Sequence, residues 1–102
     1  MSATSNPRSV GECVFDGMIH LKEGAVAFRV VDGEAVVLDI EHSEYLGMND
    51  SATVLLEALS NGATARDLAA LLFDRFEVTE QTAARDVELF LESCLDKGWL
   101  EL

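Results

Sequence analysis

Positive charge is scarce in this 102-residue chain: seven Lys and Arg stand against 19 Asp and Glu, a formal net charge of −12. Nucleic-acid binding needs clustered cations to neutralise phosphates, so that class of function is disfavoured. Anionic membrane surfaces are disfavoured for the same reason. A basic partner is permitted; acid placed for solubility alone explains the same composition. Long apolar runs are also missing. None approaches the ~20 residues that span a bilayer, and "MSATSNPRSV" carries no apolar core of a secretory signal. The expectation is a soluble, cytoplasmic protein.

Reactive residue types are equally few. Cys13 and Cys94 are the only cysteines, a count that fits a reduced cytosolic chain. Cys94 falls on an apolar helical face, where cysteine acts as a small hydrophobe. A Cys13–Cys94 bridge is possible, but nothing in the sequence favours it. His20 and His42 are the only histidines, and no C-x2-C or H-x3-H spacing accompanies them. No metal site is expected, and both histidines read as solvated or turn residues. Neither cysteine has a sequence context that would activate it as a nucleophile. "DGE" and "NGA" read as turns rather than phosphate loops, so no cofactor is expected and the chain is read as a non-enzyme.

What is present is a foldable pattern. Hydrophobic residues make up 49%, and a chain of this length buries roughly two thirds of its unfolded surface. A single domain over residues 21–102 is expected, behind a flexible segment over 1–20. "CVFDGMIHL", residues 13–21, reads either as a short strand or as a covering arm. "AVAFRVV" then alternates Val26, Phe28 and Val30 against Ala27 and Arg29, the period of a strand. Asp32-Gly33 is a two-residue hairpin signal. "EAVVLDI" returns, with Ala35, Val37 and Asp39 on one face and Val36, Leu38 and Ile40 on the other. After the polar turn "EHSE", "YLGM" forms a third strand of an antiparallel meander.

Helical spacing follows. Asn49-Asp50-Ser51 offers N-caps ahead of Ala52, Leu55, Leu56 and Leu59, and Asn61-Gly62 ends that helix. Thr64 with Asp67 starts a second helix whose face is Ala65, Leu68, Ala69, Leu72 and Phe76. Thr79 caps a third, about residues 80–97, with Ala83, Val87, Phe90, Leu91 and Cys94 inward. "WLEL" is a short extended tail packed on the sheet or the last helix. Strands followed by helices give an α+β class.

Three features stand apart from this scaffold. Leu89 projects roughly 200° away from Val87 on the third helix, either as an ordinary exposed leucine or as the lining of a partner groove. The carboxylates Glu77, Glu80, Asp86, Glu88, Glu92 and Asp96 read as a solvated face rather than paired acid–base groups. The strand at 45–48 has one neighbour in a meander. Its outer edge keeps free N–H and C=O groups, guarded only by Glu44 and Gly47, and an added strand can pair there.

The ordered set of "VVLD", "Y-x-x-M-N", "L-x-x-G-A-T" and "D-V-x-x-F-L" over residues 25–101 resembles the PqqD-like family. That family comprises recognition elements of systems making ribosomally synthesised, post-translationally modified peptides. The resemblance implies a winged helix-turn-helix-like fold, a three-stranded antiparallel sheet followed by three helices, without catalytic activity. It implies that a precursor's leader segment lies as an extra strand against the third strand and last helix. The domain then presents it to a modifying enzyme such as a leader peptidase, cyclase or radical enzyme. By position, Tyr45, Leu46, Gly47 and Met48 would supply the edge; Asp86, Leu89, Phe90 and Ser93 would line the groove, with Asp86 opposite a leader cation. Met48 and Phe90 fit a core role equally well. The closing "GWL" is similar to the pyrroloquinoline-quinone peptide chaperones, and "LD…Y…MN" to stand-alone lasso-peptide elements; the second is favoured. The first twenty residues have no counterpart in the shared pattern. A winged-helix transcriptional regulator would need a basic recognition helix, whereas the last helix holds Arg85 and Lys97 against at least five acids. Monomer and homodimer are both compatible with an exposed edge.

Overall fold

Apolar alternation after Gly24 folds as a meander in the computed structural model, which describes residues 17–101. The described strands are β1 (His20–Leu21), β2 (Val26–Val31), β3 (Glu34–Asp39), β4 (Glu44–Gly47) and β5 (Leu100–Glu101). Three helices, α1 (Asp50–Asn61), α2 (Ala65–Arg75) and α3 (Glu80–Asp96), lie between β4 and β5. The main sheet runs in the order β2-β3-β4, all antiparallel. Asp32 and Gly33 both take positive φ, 54° and 82°, as a two-residue hairpin turn demands of its central pair. The strand–strand–strand–helix–helix–helix expectation therefore holds, with β4 one residue displaced, running Glu44–Gly47.

Register decides which side chains are buried. Phe28, Val37 and Leu46 lie opposite one another and face the helices; Val37 is fully buried and the other two are half-buried. Ala27, Leu38 and Tyr45 form the next row and face away. Alternation of the strand pleat sends each row to the opposite side of the sheet.

Each helix begins where the sequence signals it. Asn49 Oδ1 accepts the Ala52 N–H at 2.9 Å. Thr64 and Asp67 form a reciprocal capping box, and Thr79 Oγ1 accepts the Thr82 N–H at 3.0 Å. These contacts satisfy amides that lack intrahelical partners. The inward faces then merge into one core with Val37, including Leu56, Leu59, Leu68, Val87 and Leu91. Each such side chain contributes roughly 1.5–3 kcal/mol through burial.

The stretch left open as strand or arm is both, as far as it is described. Ile19 exchanges backbone hydrogen bonds with Ala63 at 2.8 and 3.0 Å, and β1 pairs antiparallel with β5. The tail thus makes its ladder with the arm, and the Trp99 side chain is buried in the core. Within the segment 1–20 only residues 17–20 are described, and Ile19 there is buried. Cys13, and with it any Cys13–Cys94 bridge, lies outside the described residues.

Candidate functional site

Among the described residues strand β4 has a single partner, β3. Met48 N–H donates to Ala35 O at 2.8 Å, so the ladder sends the backbone groups of Glu44, Leu46 and Met48 towards β3. By the same alternation, Tyr45 and Gly47 direct N–H and C=O to the open side. Among the described residues no strand occupies that side.

Both ends of β4 are fastened. At its start, the Asp39 carboxylate, almost fully buried, accepts the Trp99 indole N–H at 3.0 Å and the His42 backbone N–H at 3.1 Å. His42 Nδ1 lies 2.9 Å from the same Oδ2; a carboxylate only accepts, so that nitrogen carries the proton. Burial pushes the Asp39 carboxyl up, but the hydrogen bonds from Trp99 and His42 outweigh it and hold the group below its ordinary value. The Asp39 hydrogen bond and charge push the His42 imidazole up. Turn 40–43 is thereby tied to the carboxyl-terminal tail. At the other end, Thr53 Oγ1 accepts the Ala35 N–H at 2.8 Å and faces Met48 O at 3.5 Å. The hydroxyl is inserted into the ladder at the point where the chain turns from β4 into α1.

Helix α3 meets the start of α1, which follows β4 in the chain. Asp86, Leu89, Phe90 and Ser93 follow i, i+3, i+4, i+7 spacing and share one stripe. Asp86, Leu89 and Ser93 are exposed and Phe90 is half-buried. Leu89 is 55% exposed, as its angular offset predicts. Asp86, Leu89 and Phe90 meet Asn49, Ala52 and Leu55 of the α1 start around a notch of about 260 Å³. Its floor is apolar, and the Asp86 carboxylate adds an acceptor at its rim. Such a recess takes an apolar side chain with a cation nearby.

The eight residues expected at the site do not form one surface. Leu46 and Met48 point towards the helices, are half-buried and pack on the core. Tyr45 and Gly47 belong to the opposite, outward sheet face by register. Tyr45, 73% exposed, instead lines a shallow trough with Leu38, Val36 and Ala27. Met48 and Phe90 therefore pack on the core, and Phe90 also lines the notch. Two residues that shape β4 were not anticipated, Asp39 and Thr53. An acid sharing a face with Ala35 and Val37 was the legible signal for Asp39, since a buried carboxylate requires donors. Nothing in the local sequence singled out Thr53.

The sequence profile of "Coenzyme PQQ synthesis protein D (PqqD)" matches residues 34–100, from the first residue of β3 to the first of β5. The chain belongs to the PqqD family. No curated protein matches it. Two solved structures share the fold of this PqqD-family chain. TbiB1 in complex with the TbiA(beta) leader peptide superposes with a TM-score of 0.73 at 23% identity, covering 80% of this chain and 94% of that one. Lasso peptide synthetase B1 complexed with the leader peptide gives 0.70 at 26% identity, covering 82% and 98%. The family match leaves β2 outside, yet β2 completes the sheet on which the open strand β4 rests.

Proposed function

We propose that this PqqD-family domain is a non-catalytic module that captures the leader segment of a ribosomally made precursor peptide. The leader adds as a strand to β4, and the domain presents it to a peptide-modifying enzyme. The observation that carries this reading is the open edge of β4, which runs directly into the α1 start that meets the α3 stripe at the notch, on a fold shared with two B1 proteins solved with leader peptides. Those neighbours favour a lasso-peptide-type pathway over quinone-cofactor synthesis.

In this reading Tyr45 and Gly47 provide the backbone donors and acceptors that align the leader, as in other strand-addition complexes. Leu89 and Phe90 receive inward-facing leader side chains, and Asp86 pairs with a leader cation. Ser93 extends the same wall by one turn. The chain's negative charge, −12, speeds encounter with a basic leader.

The test is titration of the isotope-labelled domain with the leader peptide of the precursor encoded beside it, followed by amide chemical shifts. Shifts centred on residues 43–48 and 82–94 are expected. Unmoved signals in both stretches at high peptide excess would remove the reading.

A further inference from the structure

Resting on that reading, we infer that the leader carries a large apolar side chain, aromatic or branched, directly opposite Gly47 on the outward face of the sheet.

The inference starts from an anomaly in β4. Glycine is depleted in strands because it offers no side chain to pack, yet it is the last residue of β4. Backbone conformation does not require it here, because Gly47 is not among the glycines with positive φ. Crowding does not require it either: a Cβ placed on Gly47 meets no atom within 4 Å. The position is empty on the side where Tyr45 projects.

Beneath that emptiness lies apolar surface. Val36 is the cross-strand partner of Gly47 and remains 45% exposed. It lines two adjoining depressions, one with Gly47, Val31 and Asn49, the other with Leu38 and Tyr45. Together they form a slot over Val36, walled on one side by the Tyr45 ring. The slot is continuous with the open β4 edge, and an incoming strand is its natural occupant.

Gly47 turns its N–H and C=O to that edge, so a bound strand places one residue directly across from it. Residues directly opposite in a ladder share a face and stand ~4.5–5.5 Å apart. This holds for a parallel or an antiparallel leader. With no Cβ on Gly47, the leader side chain can lie across the glycine onto Val36. Large side chains commonly cover strand glycines in this way. A small or charged residue there would leave Val36 wet. The leader residues that enter the notch at Leu89 and Phe90 face the other way. The slot residue and the notch residues are therefore separated by odd numbers of positions.

The test uses a fluorescein-labelled synthetic peptide of the leader encoded beside this chain, its alanine-scan variants, and fluorescence anisotropy. Gly47→Val fills the slot from the protein side. Because the site is open and valine suits strands, this variant is expected to melt no lower than wild type. It is expected to bind the native leader about tenfold or more weakly, with Gly47→Ala intermediate. One outward leader residue, replaced by alanine, should cost wild type about as much, and should cost Gly47→Val little or nothing. Equal losses for both peptides in Gly47→Val, or unchanged binding of the native leader, would overturn the slot and leave strand addition standing. No binding of any peptide to wild type would overturn both.

Discussion

Replacing Thr53 with valine removes one hydroxyl while keeping the shape of the side chain. Thr53 is only 2% exposed, and its Oγ1 takes the Ala35 N–H at 2.8 Å. Ala35 is itself buried, so in Thr53→Val that amide loses its acceptor with no water to replace it. An unsatisfied buried donor costs roughly 1–3 kcal/mol. For a domain of this size that lowers Tm by roughly 4–15 °C. The damage should be local as well as global, because Ala35 also accepts from Met48 at the end of β4. Thermal unfolding followed by circular dichroism measures the first effect, and hydrogen exchange at Ala35 and Met48 measures the second. Thr53→Ser keeps the hydroxyl and should retain the protection of Ala35, losing only the stability of one methyl, ~1 kcal/mol. A Thr53→Val protein that melts within about 1 °C of wild type with Ala35 equally protected would refute the role given to this hydroxyl.

The Asp39–His42 pair predicts a pH profile. The Asp39 carboxyl is held below its ordinary value of 3.8, so its contribution is present above that pH and is lost as pH falls through the folded value. The His42 imidazole is raised above 6.5, so its contribution is complete below 6.5 and fades as pH rises through the folded value. His42→Gln should flatten the decline in stability above pH 6.5 and shrink the acid limb, to which the imidazole contributes alongside Trp99, whereas Asp39→Asn should remove both limbs in pH-dependent denaturation. Burial pushes the Cys94 thiol up to about 12; in a Cys13→Ser variant an aromatic disulfide reagent should find no reactive thiol until the protein is unfolded, and prompt labelling of the native state would contradict the buried site. Tyr45→Pro removes a free-edge donor without touching the β3–β4 ladder; leader affinity should drop with the far-UV spectrum intact, and unchanged affinity would argue against pairing at β4.

Much of the scaffold was legible because its signals are local. Asp32-Gly33 specified a hairpin through backbone conformation alone, and Asn49, Thr64 and Thr79 announced helices through hydrogen bonds within three residues. Period-3.6 patterns then marked Leu56 and Val87 for the core, and period two divided β3 into a Val37 face and a Val36 face without deciding which is buried. Long-range partners left no such trace. The Trp99 indole reaches Asp39 across sixty residues of sequence, and the pairing of β1 with β5 joins the two ends of the described chain. The candidate site was legible in composition but not in arrangement. Leu89 stood out by its angle on α3, and the β4 edge followed from the meander. That Tyr45 and Gly47 face away from Leu46, Met48 and α3 follows only from the register with β3.

Hydrogen exchange at single amides tests the central claim most directly. Among the described residues two edges of the main sheet are unpaired: Tyr45 and Gly47 point outward from β4, and by the same alternation Val26, Phe28 and Val30 point outward from β2. On addition of the leader peptide, exchange at Tyr45 and Gly47 is expected to slow while Phe28 and Val30 stay as fast as before. Slowing at Phe28 and Val30 instead, or at neither edge, would contradict leader capture on β4.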